Sequence, residues 1–80
     1  MSRFLSVKEE SVSESERAEY SARLSARRSE AARADLHFWI FAHSEDPQRF
    51  VEFVEGADAS LVAQVAGVES ASLWRSIEEI

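Results

Sequence analysis

The sequence predicts an α+β domain built from a four-stranded antiparallel sheet and two helices. Three observations point there. Residues 36–58, LHFWIFAHSEDPQRFVEFVEGAD, hold two runs rich in aromatic and β-branched residues around a polar SEDPQ segment, the pattern of two antiparallel strands on a short loop. Residues 14–34 contain neither Gly nor Pro and are dominated by Ala, Arg, Glu and Leu, all strong helix formers. A second, shorter stretch, ASLVAQVA, has Asp58 or Ser60 as its candidate cap and ends at Gly67, residue types that open and close helices. The chain of 80 residues is expected to form one domain, 1–80.

The elements follow in order. Residues 3–10 alternate loosely, with Leu5 and Val7 opposite Ser6 and Lys8, which suits a first strand. Ser13 followed three residues later by Glu16 makes a capping box for the first helix. That helix carries Glu14, Glu16 and Glu19 at its start and Arg23, Arg27, Arg28 and Arg33 toward its end, a polarity that complements the helix dipole. Glu19 and Arg23 add an i,i+4 pair. Its apolar stripe is thin, Tyr20, Leu24, Ala31 and Ala34, with Arg27 and Arg28 as interruptions. The arginine run is therefore expected on a solvated, ion-paired face. The two strands of the hairpin come next, then Gly56 at a strand end and the helix Ala59 to Ala66. The tail SASLWRSIEEI fits a strand, with Trp74 opposite Leu73 and Arg75. It also fits a helix that aligns Leu73, Ile77 and Ile80, and the strand is preferred because the sheet needs a fourth member.

The order β-α-β-β-α-β predicts a ferredoxin-like plait with both helices on one face of the antiparallel sheet. The other face is bare. In the first hairpin strand both faces are apolar: Leu36, Phe38, Ile40 and Ala42 on one, His37, Trp39, Phe41 and His43 on the other. The bare face therefore needs a cover, most simply a second copy through a two-fold axis. A chain this short is marginal without disulfides, a metal or a partner. It has no cysteine, which excludes disulfides, thiolate metal sites, Fe–S clusters and a cysteine nucleophile and leaves oligomerisation as the expected support.

Strand HFWIFAH, turn SEDPQR and strand RFVEFVEGAD leading into a helix resemble the antibiotic-biosynthesis monooxygenase-like family of dimeric α+β barrels. Asp46-Pro47, Arg49-Phe50, Glu55 and Asp58 stand where that family has its acidic D-P turn, Arg-Phe strand and acidic stretch. The resemblance implies a dimeric barrel of two sheets and a cofactor-independent oxygenase acting on a hydrophobic or aromatic small molecule. The family's haem-degrading members use an Asn-Trp-His set. With no Asn in the chain that set is incomplete.

Under this reading His37, His43 and Glu52 are the candidate catalytic groups, each able to move a proton, and Tyr20, Trp39, Phe41 and Trp74 are the candidate ligand-binding residues. Each has a plainer alternative. The odd face of the hairpin strand also suits a dimer interface with imidazoles at its rim. His37 and His43 lie roughly 20 Å apart along one strand, so they do not share a metal ion within a chain, and no metal or other cofactor is expected. His43-Ser44-Glu45-Asp46 reads as a solvated turn closed by Pro47. Glu52 sits inside Phe50-Val51-Glu52-Phe53-Val54. Pairing His43 with Arg49 puts it across from Ile40, and a one-residue slip puts it beside Phe41; the sequence leaves both open. A salt bridge to an arginine of the first helix is the expected fate of a buried Glu52, and the general base the alternative.

The net charge of −6 comes entirely from residues 36–80, where Arg49 and Arg75 face eight acids. Such a surface repels phosphate backbones, so no nucleic-acid partner is expected. RFVEFVE also lacks the glycines of an RNA-recognition motif and sets acids where bases would stack. MSRFLSVKEE has no signal-peptide core and no segment reaches the length of a membrane span, so a cytoplasmic location without a membrane partner is expected. There is no glycine-rich phosphate loop and no local context for a Ser-His-Asp hydrolase. Two functions remain: an oxygenase-like dimer that binds an aromatic small molecule, and a non-catalytic homodimeric module of the same fold.

Overall fold

The computed structural model describes residues 2–77. Strand β1 spans Phe4–Ser11, helix α1 Arg17–Arg33, strands β2 and β3 His37–Ala42 and Arg49–Gly56, helix α2 Ala59–Ala66, and strand β4 Trp74–Arg75. The four strands form one antiparallel sheet in the order β2-β3-β1-β4. This is a small α+β fold, compatible with the ferredoxin-like plait expected from the element order.

The helix boundaries have local causes. One 3₁₀ turn, Glu14–Glu16, precedes α1, and the Glu16 carboxylate accepts bonds from the Ser13 N–H at 3.1 Å and its hydroxyl at 2.8 Å. Those bonds hold the Glu16 carboxyl below its ordinary pKa. At the far end Asp35 enters the left-handed region with φ 59°. The Asp35 N–H then reaches the Ala32 carbonyl at 3.2 Å and the Leu36 N–H the Ala31 carbonyl at 2.8 Å, a Schellman closure that turns the chain straight into β2. Helix α2 opens on Asp58, whose side chain accepts from the Leu61 N–H at 3.2 Å, and closes on Gly67 at φ 72°. The structure thus selects Asp58 over Ser60 as the cap, and Gly67 ends the helix as expected.

The sheet has two different faces, and cross-strand partners assign each residue. Under the helices lie the rows Ser6, Val54 and Phe38, then Lys8, Glu52 and Ile40, then Glu10, Phe50 and Ala42. The apolar half of this layer sits beneath α2. There Val54, Val62, Val65, Ala66 and Ala31 are buried and Phe4, Leu36, Phe38, Val68 and Leu73 pack against them. Gly56 belongs to the same region: a Cβ at that position would overlap the Leu36 side chain.

Two sequence expectations gain detail. The β1 alternation is present, and it is the polar side that faces inward. Ser6 is buried beneath the helices while Leu5 and Val7 point to the bare face. The tail does supply a fourth strand, reduced to Trp74–Arg75 after a 3₁₀ turn at Ser70–Ser72. It pairs Trp74 with Leu5 and Arg75 with Phe4. Leu73 turns to the core and Trp74 away from it, the alternation expected of a strand. Ile80, part of the helical alternative, lies outside the described residues.

Candidate functional site

The sheet separates the candidate residues into two groups. Tyr20 and Glu52 meet on the helix side. His37, Trp39, Phe41 and Trp74 lie on the bare side, and His43 stands beyond the end of β2 in the turn. The three candidate proton carriers, His37, His43 and Glu52, are therefore not brought together.

The helix-side cluster is built around Glu52, which is 2% exposed. The register pairs it with Ile40 on one side and Lys8 on the other, which resolves the alternative left open by the sequence. Its carboxylate accepts the Tyr20 hydroxyl at 2.8 Å and forms an ion pair with the Arg27 guanidinium. Lys8 turns to Glu10 at 3.6 Å. Tyr20 stacks at a tilt on Phe50, with ring centroids 5.3 Å apart, and the Arg17 guanidinium covers the other part of that ring at 5.0 Å. Arg17 also donates to the Pro47 carbonyl at 2.7 Å, tying the start of α1 to the hairpin turn.

Arg27 supplies the salt bridge from the first helix expected of a buried Glu52, and so stands apart from the arginine run expected on a solvated face. Tyr20, Leu24, Arg27 and Ala31 follow the 4-3-4 spacing of a single helix face, so Arg27 lies on the apolar stripe rather than outside it. The signal was the charge of Glu52 inside an apolar strand, which calls for a cation at a facing position. Arg28 also departs from a purely solvated role, its guanidinium lying over the Phe38 ring at 5.6 Å. The expected pair of Glu19 and Arg23 is present at 3.4 Å on the exposed side.

Burial and the Glu52 hydrogen bond both push the Tyr20 phenol well above its ordinary pKa, and the negative charge of Glu52 acts in the same direction. No buried side-chain polar atom among the described residues lacks a partner. Glu52 thus has both oxygens bonded within the protein, and it lines neither the groove beside β2 nor the small pocket at His43. Such a cluster ties α1 to the middle of β3.

On the bare side the rows read Trp74, Leu5, Glu55 and His37, then Val7, Phe53 and Trp39, then Glu9, Val51 and Phe41. Trp39 is 45% exposed, Phe41 55%, Trp74 65% and Val7 43%. The rings are organised: His37 stacks on Trp39 at 5.6 Å and 14°, and Phe41 meets Phe53 edge-on at 5.7 Å. Ion pairs bound this face at both ends. Arg3 reaches Glu55 with two bonds of 2.6 and 2.8 Å, which hold the Glu55 carboxyl below its usual range, and Arg49 reaches Glu9 at 3.1 Å.

His43 is a turn residue. Its Nδ1 accepts the N–H groups of Glu45 at 3.1 Å and Asp46 at 3.0 Å, while Asp46 accepts the Gln48 N–H at 2.9 Å. Its imidazole caps the loop that Pro47 closes. Among the described residues no three His, Asp or Glu side chains come together as a metal cluster, and no helix is long and apolar enough to cross a membrane. No protein-family model, curated protein or solved structure matches this chain.

Two outcomes test the buried cluster. Arg27→Met leaves Glu52 charged and short of a partner, and is expected to cost about 3 kcal/mol in urea unfolding. The triple variant with Tyr20→Phe and Glu52→Leu, which substitutes apolar volume for the whole cluster, is expected to recover most of that loss. A triple variant no more stable than Arg27→Met would refute this account.

The second outcome concerns pH. A phenol whose folded pKa is raised favours the folded state below its unfolded value of about 10, and that contribution fades as pH rises beyond it toward the folded value. Tyr20 is the chain's sole tyrosine, so tyrosinate absorbance reads it directly. The folded protein is expected to ionise well above the urea-unfolded chain, with stability falling over the same alkaline range. Coincident titrations in the two states would contradict the buried hydrogen bond.

Proposed function

We propose that this protein is a non-catalytic homodimeric interaction module in a ferredoxin-like plait, two copies stacking their bare sheet faces into a dimeric α+β barrel. The observation that carries this reading is the facing of β1, Ser6 inward and Val7 outward. A small protein that buries Ser6 under its helices and turns Leu5 and Val7 outward has spent apolar residues on the face that lacks a cover. An outward row of Val7, Phe53 and Trp39 is costly in water and favourable against a second apolar sheet. The margins fit the same use, an apolar centre bounded by the Arg3–Glu55 and Arg49–Glu9 pairs. The commitment of Glu52 to Tyr20 and Arg27 speaks for a module rather than an enzyme, since the one buried carboxylate among the described residues is occupied structurally.

A second reading, closer to the monooxygenase-like family, rests on the stacked His37 and Trp39 rings. A planar aromatic molecule held between the two sheets extends that stack, with Phe41 and Trp74 on the same face and His37 as the nearby proton carrier. In this reading Tyr20, Glu52 and His43 are structural.

Sedimentation at micromolar concentration is expected to show a dimer. Val7→Glu sets like charges at the centre of the interface without touching the helix side. It is expected to weaken association by about 100-fold or more, roughly 3 kcal/mol, with the fold retained. A folded wild-type monomer at those concentrations would sink the module. The ligand reading is checked separately by titrating the wild-type protein with 2-naphthol and following tryptophan emission. Saturable quenching that His37→Ala and Trp39→Phe weaken supports it, and a flat response removes it.

A further inference from the structure

The outer edge of β2 is a surface that stacking of the sheet faces leaves unused. β2 ends the sheet on one side. The His43 N–H donates to the Arg49 carbonyl at 2.9 Å, and alternation along the antiparallel ladder turns the odd residues of β2 toward β3 and the even ones away. The N–H and C=O groups of Phe38, Ile40 and Ala42 thus face outward, with no strand beyond them among the described residues. This edge is six residues long, HFWIFA, and holds no lysine, no acid and no proline, the devices that normally prevent strand addition. The opposite edge is guarded. β4 covers only Phe4 and Leu5 of β1, and the uncovered part carries Lys8, Glu9 and Glu10.

Beside the β2 edge runs an open groove of about 390 Å³ between β2 and the second half of α1. Ala31, Ala32, Leu36, Phe38 and Ile40 are among the residues that line it, and Arg28 is its one charge. The Arg28 guanidinium rests on the Phe38 ring and forms no ion pair among the described residues. A strand added at this edge drops alternate side chains into the groove.

We propose that the β2 edge binds an extended peptide as a fifth strand, with apolar side chains in the groove and one carboxylate against Arg28. Backbone pairing with Phe38, Ile40 and Ala42 supplies the register, and Arg28 selects the charge. A second copy of this chain is a poor occupant. A two-fold axis through paired β2 strands keeps both α1 helices on one face of the joined sheet and brings two Arg28 side chains toward each other. Small aromatic anions also match Arg28, but leave the outward backbone groups of the edge unpaired.

The test uses an acetylated, amidated hexapeptide of sequence valine-threonine-glutamate-threonine-valine-threonine and the full isotopically labelled chain, followed by amide chemical shifts. Saturable shifts are expected at Phe38, Ile40 and Ala42. In an antiparallel pairing, the one proposed, the peptide's Val and Glu N–H groups face β2 and its Thr N–H groups face away. N-methylation of the valines and glutamate should therefore abolish binding, and N-methylation of the threonines should leave it. Arg28→Glu, a surface change, is expected to weaken binding about tenfold, and a peptide with lysine in place of glutamate to restore it. Absence of saturable shifts at millimolar peptide, equal effects of the two N-methylated sets, or indifference to Arg28→Glu would each overturn the proposal. Val7→Glu acts on a different surface, so failure of the edge site and failure of the dimer are distinguishable.

Discussion

The Glu52 carboxylate, buried at the middle of the sheet, is the constraint on which the arrangement of the elements depends. Its partners come from α1 two turns apart, Tyr20 at one oxygen and Arg27 at the other. Together they set both the rotation of the helix and its position along β3. They also set the strand register. A slip by one residue would carry Glu52 to the bare face and leave Tyr20 and Arg27 without their acceptor, at a cost of several kcal/mol. A buried ion pair of this kind adds little net stability compared with apolar packing. Its value lies in excluding alternatives.

The consequence is a divided interior. Beneath α2 the layer is apolar and close-packed around Val54 and Val62, and Gly56 gives Leu36 room to lie against the backbone. Beneath the start and middle of α1 it is polar, with Tyr20, Arg27, Glu52 and Lys8 in adjoining positions. That second half contributes less hydrophobic free energy than a core of its size would. The missing apolar residues are on the far side of the sheet, in Leu5, Val7, Phe53, Trp39 and Phe41. A single protomer therefore keeps much of its available hydrophobic surface in water, and burial of that surface is the natural source of the stability an 80-residue chain needs.

Both proposed surfaces come from the same β2 strand. Its odd residues face the bare side and carry the rings suited to a second sheet, while the outward backbone groups of its even residues form the open edge. One strand serves two contacts because side chains and edge hydrogen bonds point in perpendicular directions. The groove beside it exists because α1 ends in small residues, Ala31 and Ala32, before Asp35 reverses the chain.

Local signals made much of this legible in the sequence. The span of α2 follows from Asp58 and Gly67, the hairpin from its aromatic runs and Asp46-Pro47, and the start of α1 from Ser13 and Glu16, because capping and turn chemistry act over a few residues. The amphipathic split of β2 into even and odd faces is likewise a property of strand geometry alone. Three features required the tertiary structure. The side of the sheet occupied by Glu52 depends on a pairing register that two neighbouring alignments satisfy locally. The inward turn of Arg27 depends on where that carboxylate ends up. The facing of β1, with Ser6 inside and Val7 outside, depends on which face the helices cover. Alternation shows that a strand has two faces, but only packing against the rest of the chain decides which one is turned inward.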